Sequence, residues 1–502
     1  MPVKKQLIMI CATLVLTAIT AKAQNASPDP STAIKNAVKA MGDVKSIRYS
    51  GSGRWGVVGM SWNPTSPWHY TVLNSYTRTI DYATGSSRED TTRNQENPPV
   101  LGGEAPYVDE IVEGHEVVGK YAWNQPVNSH PTLPPDVSQP APAAVEERNL
   151  QIILTPHGFL KAALENHATA KSATEGNENA TVLTFTTGKY KIVGTLNSKS
   201  ILTKIDTWMD NPVLGDMLVE TKFLDYKDFN GVKFPMHIVQ EQGGSMTLDL
   251  NVKDVQPNAA NATLRVPENV LKAAVRPETA KSEKMAEGVW FIHGGHNSVL
   301  VEFKDFLAVV DAPVDEARSL AVLAEVKRLV PDKPVKYVIN THHHFDHSGG
   351  LRTYVAEGAT VITHENNKPY YETVWKYPHT IAPDRLSEHP REPTFITFKN
   401  KYVLTDGTRN LEVHLDFGDM HDQFLSFAWL PKEKILIEAD DFSGWYITPL
   451  SLAMWNNLYG NLQRLGIEPE TVAPLHGDPT TMAILLKTLR DSIDQITDFK
   501  EF

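Results

Sequence analysis

Four imidazoles and a carboxylate fall within six residues at His342-His343-His344-Phe345-Asp346-His347, directly before Ser348-Gly349-Gly350. In a tight loop, His342 and His344 can converge on one cation while Asp346 and His347 turn toward a second. Nitrogen and oxygen donors of this kind suit zinc, and also iron or manganese. Twelve of the 18 histidines lie in residues 284–502, so ligand chemistry belongs in that part of the chain. The single cysteine, Cys11, lies in an apolar leader, which leaves thiolate ligands, thiol catalysis and disulfides out of a mature protein.

The elements that must carry this loop alternate between strand and helix. Val335–Ile339 reads as a short apolar strand feeding straight into the histidines, and 315–330 reads as an amphipathic helix with Leu320, Leu323, Val326 and Leu329 at helical spacing. Further strands are expected at 289–292, 298–303, 306–310, 359–363, 411–417, 424–429 and 434–438, with helices at 350–356 and 452–465. This is a layered α/β pattern.

Ahead of it, residues 46–261 read mostly as strands, at 46–57, 70–82, 181–194, 201–209, 217–229 and 232–242, with Asn230-Gly231 as a hairpin turn. A Pro-rich stretch at 124–142 and one or two helices at 144–170 interrupt them. A boundary is expected near 274–286, giving a β-rich accessory domain at 24–275 and a metal-binding α/β domain at 276–502. Residues 1–23 carry a short basic start, an apolar run at 7–20 and Ala21-Lys22-Ala23, the form of a secretory signal peptide, so the protein is expected to be periplasmic or secreted with no membrane span after cleavage. A net charge of −12 disfavours polyanionic partners, so no nucleic acid is expected and a small-molecule substrate is.

His342-x-His344-x-Asp346-His347, after a strand and before Gly-Gly and a helix, resembles the metal motif of the metallo-β-lactamase-fold hydrolases. The resemblance covers about 284–502 and implies an αββα sandwich with two metal ions at one edge. It also implies the remaining ligands: His421, after Phe417-Gly418-Asp419-Met420, for the first ion, Asp440 as the acid bridging both, and His476 in Pro474-Leu475-His476-Gly477 for the second. The first ion would then be held by His342, His344 and His421, and the second by Asp346, His347, Asp440 and His476, with His343 outside the ligand set.

Asp440, where one lactamase subclass has Cys, fits the thioesterase and lactonase branches. His344, where flavodiiron relatives place Glu, fits hydrolysis over oxygen reduction and makes zinc the favoured metal. The family usually shows Gly-His-Thr and Gly-Asp where this chain has Met420-His421-Asp422 and Ala439-Asp440, so the subgroup stays open. Asp441 and His414 are the near rivals of Asp440 and His421.

The implied activity is hydrolysis of an ester, lactone, thioester or amide, β-lactams included, by a metal-bridged hydroxide that Asp346 orients. The β-rich half faintly resembles the half-barrels of lipoprotein-sorting proteins, chiefly in its Asp225–Pro235 hairpin, so the rival reading is an exported carrier of a lipid or hydrophobic ligand with an inactive metal domain. His293 and His296 are read as polar loop residues with a possible place beside the substrate, His364, His379 and His389 as surface residues, and Tyr370, Tyr371, Trp375, Tyr377, Trp445, Tyr446, Trp455 and Tyr459 as packing.

Overall fold

The computed structural model describes residues 28–96, 100–103, 110–125, 138–259, 264–442 and 451–498. The leader at 1–23, most of the Pro-rich stretch, Trp445 and Tyr446 lie outside them.

Among the described residues the β-rich half forms a sheet of 13 strands, antiparallel at every pairing, beside a separate two-stranded one. Its two arms join where Ser46–Gly56 pairs with Ser245–Pro257. Along Ser46–Gly56, Ile47 and Tyr49 are buried and Arg48 is exposed, the alternation of a sheet with one covered face. Helices Pro30–Met41, Val145–Ile153 and Pro156–Glu165 cover that face, sharing a core of Met41, Tyr49, Tyr76, Phe159 and Phe234.

Asn230 and Gly231 form the expected hairpin turn, at φ 57° and 89°, with Phe229 paired to Val232. Three expected strands are broken by local chemistry. Residues 181–194 divide into Glu178–Thr187 and Tyr190–Leu196 around a Gly188-Lys189 turn. Pro235 ends Val232–Phe234 before His237–Gln242 begins, because it offers no N–H to a ladder. Residues 217–229 likewise divide into Gly215–Leu224 and Lys227–Phe229.

From Lys281 onward the chain builds four layers. A seven-stranded sheet and a six-stranded sheet face each other, with Phe291, Val310, Ile339, Val413, Ile437 and Ala473 packed between them. Helices Glu316–Leu329 and Leu351–Ala356 cover the outside of the first sheet. Ser451–Leu465 and Met482–Asp498 cover the outside of the second.

The parallel strands Leu307–Val310, Val335–Ile339 and Thr360–His364 are apolar where both of their faces are buried, at Leu307–Val310, Val338-Ile339 and Val361-Ile362. Val310, Ile339 and Ile362 point to the other sheet, while Val309, Val338 and Val361 point to the helices. The charged stretch expected as linker includes an edge strand, Lys281–Ala286, which pairs with Val289–His293; its lysines and glutamate suit an edge that must not recruit further strands. No helix among the described residues is long and apolar enough to cross a membrane.

Candidate metal centre

Every expected ligand emerges past the carboxyl end of a buried strand. The strand Val335–Ile339 delivers His342, His344, Asp346 and His347; Asn410–Leu415 leads to His421, Ile435–Glu438 to Asp440, and Thr471–Pro474 to His476. The fold brings all seven together. His342, His344 and His421 form one group of converging donor atoms, and Asp346, His347, Asp440 and His476 form a second, with the atoms of each group within 4.8 Å of one another.

Asp440 stands between the groups. Its Oδ1 is 3.6 Å from His421 Nε2 and 3.2 Å from His476 Nε2, and its Oδ2 is 3.6 Å from His342 Nε2 and 3.0 Å from His347 Nε2. It holds φ 68°, a left-handed conformation that Asp tolerates better than most residues. Asp441, one residue on, points elsewhere, into a buried cluster with Asp416 and Asp419. His414 stays in its strand, 3.0 Å from Glu412 Oε2 and stacked on Phe427.

The donor set fits metal cations. Thr341 Oγ1 donates to Asp311 Oδ2 at 2.7 Å and so accepts from His342 Nδ1 at 3.1 Å, which leaves His342 Nε2 a bare nitrogen. That nitrogen and Asp346 Oδ1 are buried without a hydrogen-bond partner, a costly state unless a cation meets them. Burial and the neighbouring imidazoles hold His342 well below the usual histidine pKa and His344 at about 3, so both are neutral donors. In the second group burial opposes charge, yet Asp440 and Asp346 outweigh it and raise His347 well above the usual value; His476 is lifted by Asp440 to about 9. Two carboxylates there demand positive charge.

The outer layer was not visible in the sequence. Asp311, fully buried at φ 60°, accepts from His347 Nδ1 at 2.7 Å and from Thr341 N at 2.8 Å. His344 Nε2 meets Ser61 O at 2.7 Å, and His421 Nδ1 donates to Gly103 O at 2.6 Å, both in the β-rich half. Asp419 Oδ1 accepts from the amides of His421 at 2.6 Å and Asp422 at 3.2 Å. Burial and Asp419 push Asp416 up to about 8, and burial with Asp416 raises Asp441 well above the carboxylate range, so this cluster holds protons where the metal groups hold charge.

His343 belongs to neither of these two groups and forms a third buried cluster of potential donors with His344 and Asp422: its Nδ1 lies 2.5 Å from Asp422 Oδ2 and its Nε2 2.9 Å from Ser61 Oγ. His296 Nε2 reaches Asp346 Oδ2 at 3.4 Å, whereas His293 sits by Glu283 and away from the donors. His364 and His379, expected at the surface, are buried; His364 stacks on Phe424 at 4.6 Å and His379 lies against Gly215 of the β-rich half. His389 is exposed as expected. Tyr371 and Trp375 stack in the core, Trp455 packs on Phe442, and Tyr377 is exposed.

Residues 292–430 match the family described as the metallo-beta-lactamase superfamily. This segment belongs to that superfamily. The matched metallo-beta-lactamase segment contains five of the seven donors, and Asp440 and His476 follow it. Among solved structures the chain is similar to a metallo-beta-lactamase from Pontibacter korlensis, at 21% identity over 42% of this chain and 98% of that one, TM-score 0.34. It is similar also to the DIM-1 metallo-beta-lactamase exposed to ceftazidime, at 21% identity over 44% and 100%, TM-score 0.34. A flavodiiron protein from Giardia intestinalis aligns at 17% identity over 43% and 59%, TM-score 0.33. No curated protein sequence matches.

Proposed function

We propose that the chain is an exported hydrolase with a dinuclear metal centre, zinc by preference, that cleaves an ester, lactone, thioester or amide, the β-lactam amide included. The observation that carries this reading is Asp440, whose two carboxylate oxygens reach imidazoles of both donor groups within 3.6 Å. Two zinc ions bound there would supply a water acidified toward neutrality and a polarised carbonyl.

The chain's own residues do the rest. His342, His344 and His421 would hold one ion, and Asp346, His347, Asp440 and His476 the other. Burial pushes the Asp346 carboxyl up, but His347, His296 and His476 pull it further down, well below the usual carboxylate value. It therefore stays charged, fixed 3.5 Å from His476 Nε2 and 3.4 Å from His296 Nε2, able to orient the attacking water.

The division into a β-rich accessory domain at 24–275, half-barrel in form, and a metal domain at 276–502 belongs to the same proposal, as does export through residues 1–23 to the periplasm or beyond. The β-rich half encloses a cavity of about 360 Å³ lined by Tyr76, Arg78, Glu89 and Gln240 among others. Its Arg78–Glu89 pair suits a polar guest better than an acyl chain, which weighs against the lipid-carrier reading.

The test is a panel of a chromogenic cephalosporin, aryl esters, lactones and thioesters, assayed before chelation, after it, and after zinc is restored. Turnover of one class, lost and regained with the metal, supports the reading and names the bond; no turnover in any state overturns it.

A further inference from the structure

Two segments of the β-rich half grip the two metal-bearing loops of the other half. After the strand Ser46–Gly56, the loop to Tyr70 passes over the histidine motif. Gly59 lies so close to the Phe345 ring that a Cβ there would come within 2.2 Å of it, and Trp68 meets the same ring edge-on at 5.8 Å. Trp62 O accepts from Gln423 N at 2.7 Å, and Gly102 N donates to Met420 O at 3.0 Å. The contact is therefore built from backbone hydrogen bonds and close packing on both sides of His421.

Within this grip, Ser61 is the hub. Its residue is 3% exposed. Its carbonyl oxygen lies 2.7 Å from His344 Nε2, while its amide nitrogen lies 3.1 Å from the same atom. These two contacts demand opposite tautomers. If Nε2 donates to the carbonyl, the nearer partner, Nδ1 is bare and faces His421 Nε2 at 2.9 Å, ready for a cation. If Nε2 accepts from the amide, Nδ1 carries the proton and cannot ligate. His421 has its own proton on Nδ1, directed at Gly103 O, so its Nε2 is bare in either case.

The orientation of the Ser61 peptide is held from the other side. Its hydroxyl donates to Asn63 O at 3.0 Å and meets His343 Nε2 at 2.9 Å, and His343 Nδ1 is 2.5 Å from Asp422 Oδ2. Asp422 immediately follows His421, so the chain of contacts that starts at His344 ends on the other metal-bearing loop.

We propose that Ser61, held by the buried His343–Asp422 pair, is a positioning residue that fixes His344 in the tautomer able to bind metal, and that the β-rich half thereby completes the first metal group. This rests on the metal reading of the site and adds a specific dependence to it. Two of the three ligands of the first group, His344 and His421, take their orienting hydrogen bonds from Ser61 and Gly103; His347 in the second group takes its bond from Asp311, within the metal domain. Outer partners of this type typically change metal affinity about 10–100-fold.

A serine, a histidine and an aspartate in line also describe a nucleophile with its base and orienting acid. Burial argues for positioning instead, because the residue is 3% exposed and its hydroxyl is engaged by both Asn63 O and His343 Nε2.

The experiment uses full-length protein and Co2+ and Zn2+ as probes, with chelator competition to resolve the two affinities and histidine ring NMR to read the tautomer of His344. Ser61→Ala and Asp422→Asn are expected to weaken one ion of the two by about 10–100-fold, to change the visible spectrum of the corresponding Co2+ ion, and to leave the other ion and the apo-protein melting temperature in place. Ser61→Thr, which keeps the hydroxyl, should restore the first ion. Wild-type affinity for both ions in Ser61→Ala and Asp422→Asn overturns the proposal, as does equal loss of both ions with a fall in melting temperature, which marks a general packing role. Covalent labelling of Ser61 by a fluorophosphonate overturns it in favour of a nucleophile. A wild-type protein that binds neither metal sinks the metal reading itself.

Discussion

Asp311 and His347 share a 2.7 Å hydrogen bond with neither side chain exposed to solvent. The same carboxylate receives the Thr341 hydroxyl, which in turn accepts from His342, so one buried acid sets the proton position on a ligand of each metal group. Replacing it with Asn keeps the shape but loses the charge that draws both protons. Asp311→Asn should lower affinity for both ions by about 10–100-fold, read by chelator competition. Unchanged affinity for either ion would show that Asp311 serves packing alone.

Asp346→Ala removes a donor of the second group and the carboxylate placed to orient the attacking water. Turnover should fall by at least about 10²-fold, the scale of a lost positioning interaction. The fold should persist, because the lost side chain touches only the site. Near-normal turnover with two ions still bound would remove Asp346 from the mechanism.

Asp440 and Asp441 are neighbours with opposite tasks. Asp440→Ala should release or loosen both ions, because its oxygens reach both groups, whereas Asp441→Asn should keep two ions, because its side chain joins the protonated Asp416 cluster. Metal counts per chain after dialysis decide between them. The reverse outcome would assign the bridge to Asp441.

Acid stability should carry the mark of His157. It is buried beside Met41 O and Phe234, and burial lowers its pKa from 6.5 to about 4. The folded state therefore excludes a proton that the unfolded chain accepts. Its contribution to stability is whole above pH 6.5 and is lost as pH falls toward 4, a change of about 3 kcal/mol. His157→Leu should flatten the fall of the urea midpoint over that window. An equal slope in both proteins would show that other groups govern acid unfolding.

The candidate donors were legible in sequence because metal chemistry restricts residue type and spacing: His342, His344, Asp346 and His347 sit on one loop, and glycine turns or strand ends mark His421, Asp440 and His476. The strands beneath them were legible because burial on both faces imposes apolar runs such as Leu307–Val310. What stayed hidden depends on tertiary contact. Ser61 and Gly103 act through backbone carbonyls, and any residue has one, so no sequence signal marks them. Asp311 follows a strand like many other aspartates, and only its distance to His347 gives it a role. His364 and His379 looked like loop histidines, and packing on Phe424 and against Gly215 buries them. The edge strand Lys281–Ala286 was read as linker because an edge tolerates the charges that a linker also carries.

The central claim is a two-ion centre bridged by Asp440, and elemental analysis of purified full-length protein tests it most directly, with Asp440→Ala measured alongside. The account predicts close to two zinc per chain in the wild type and fewer than one in the variant. Wild-type protein that holds no metal after zinc is supplied and excess removed, or an Asp440→Ala variant that still holds two, would contradict it.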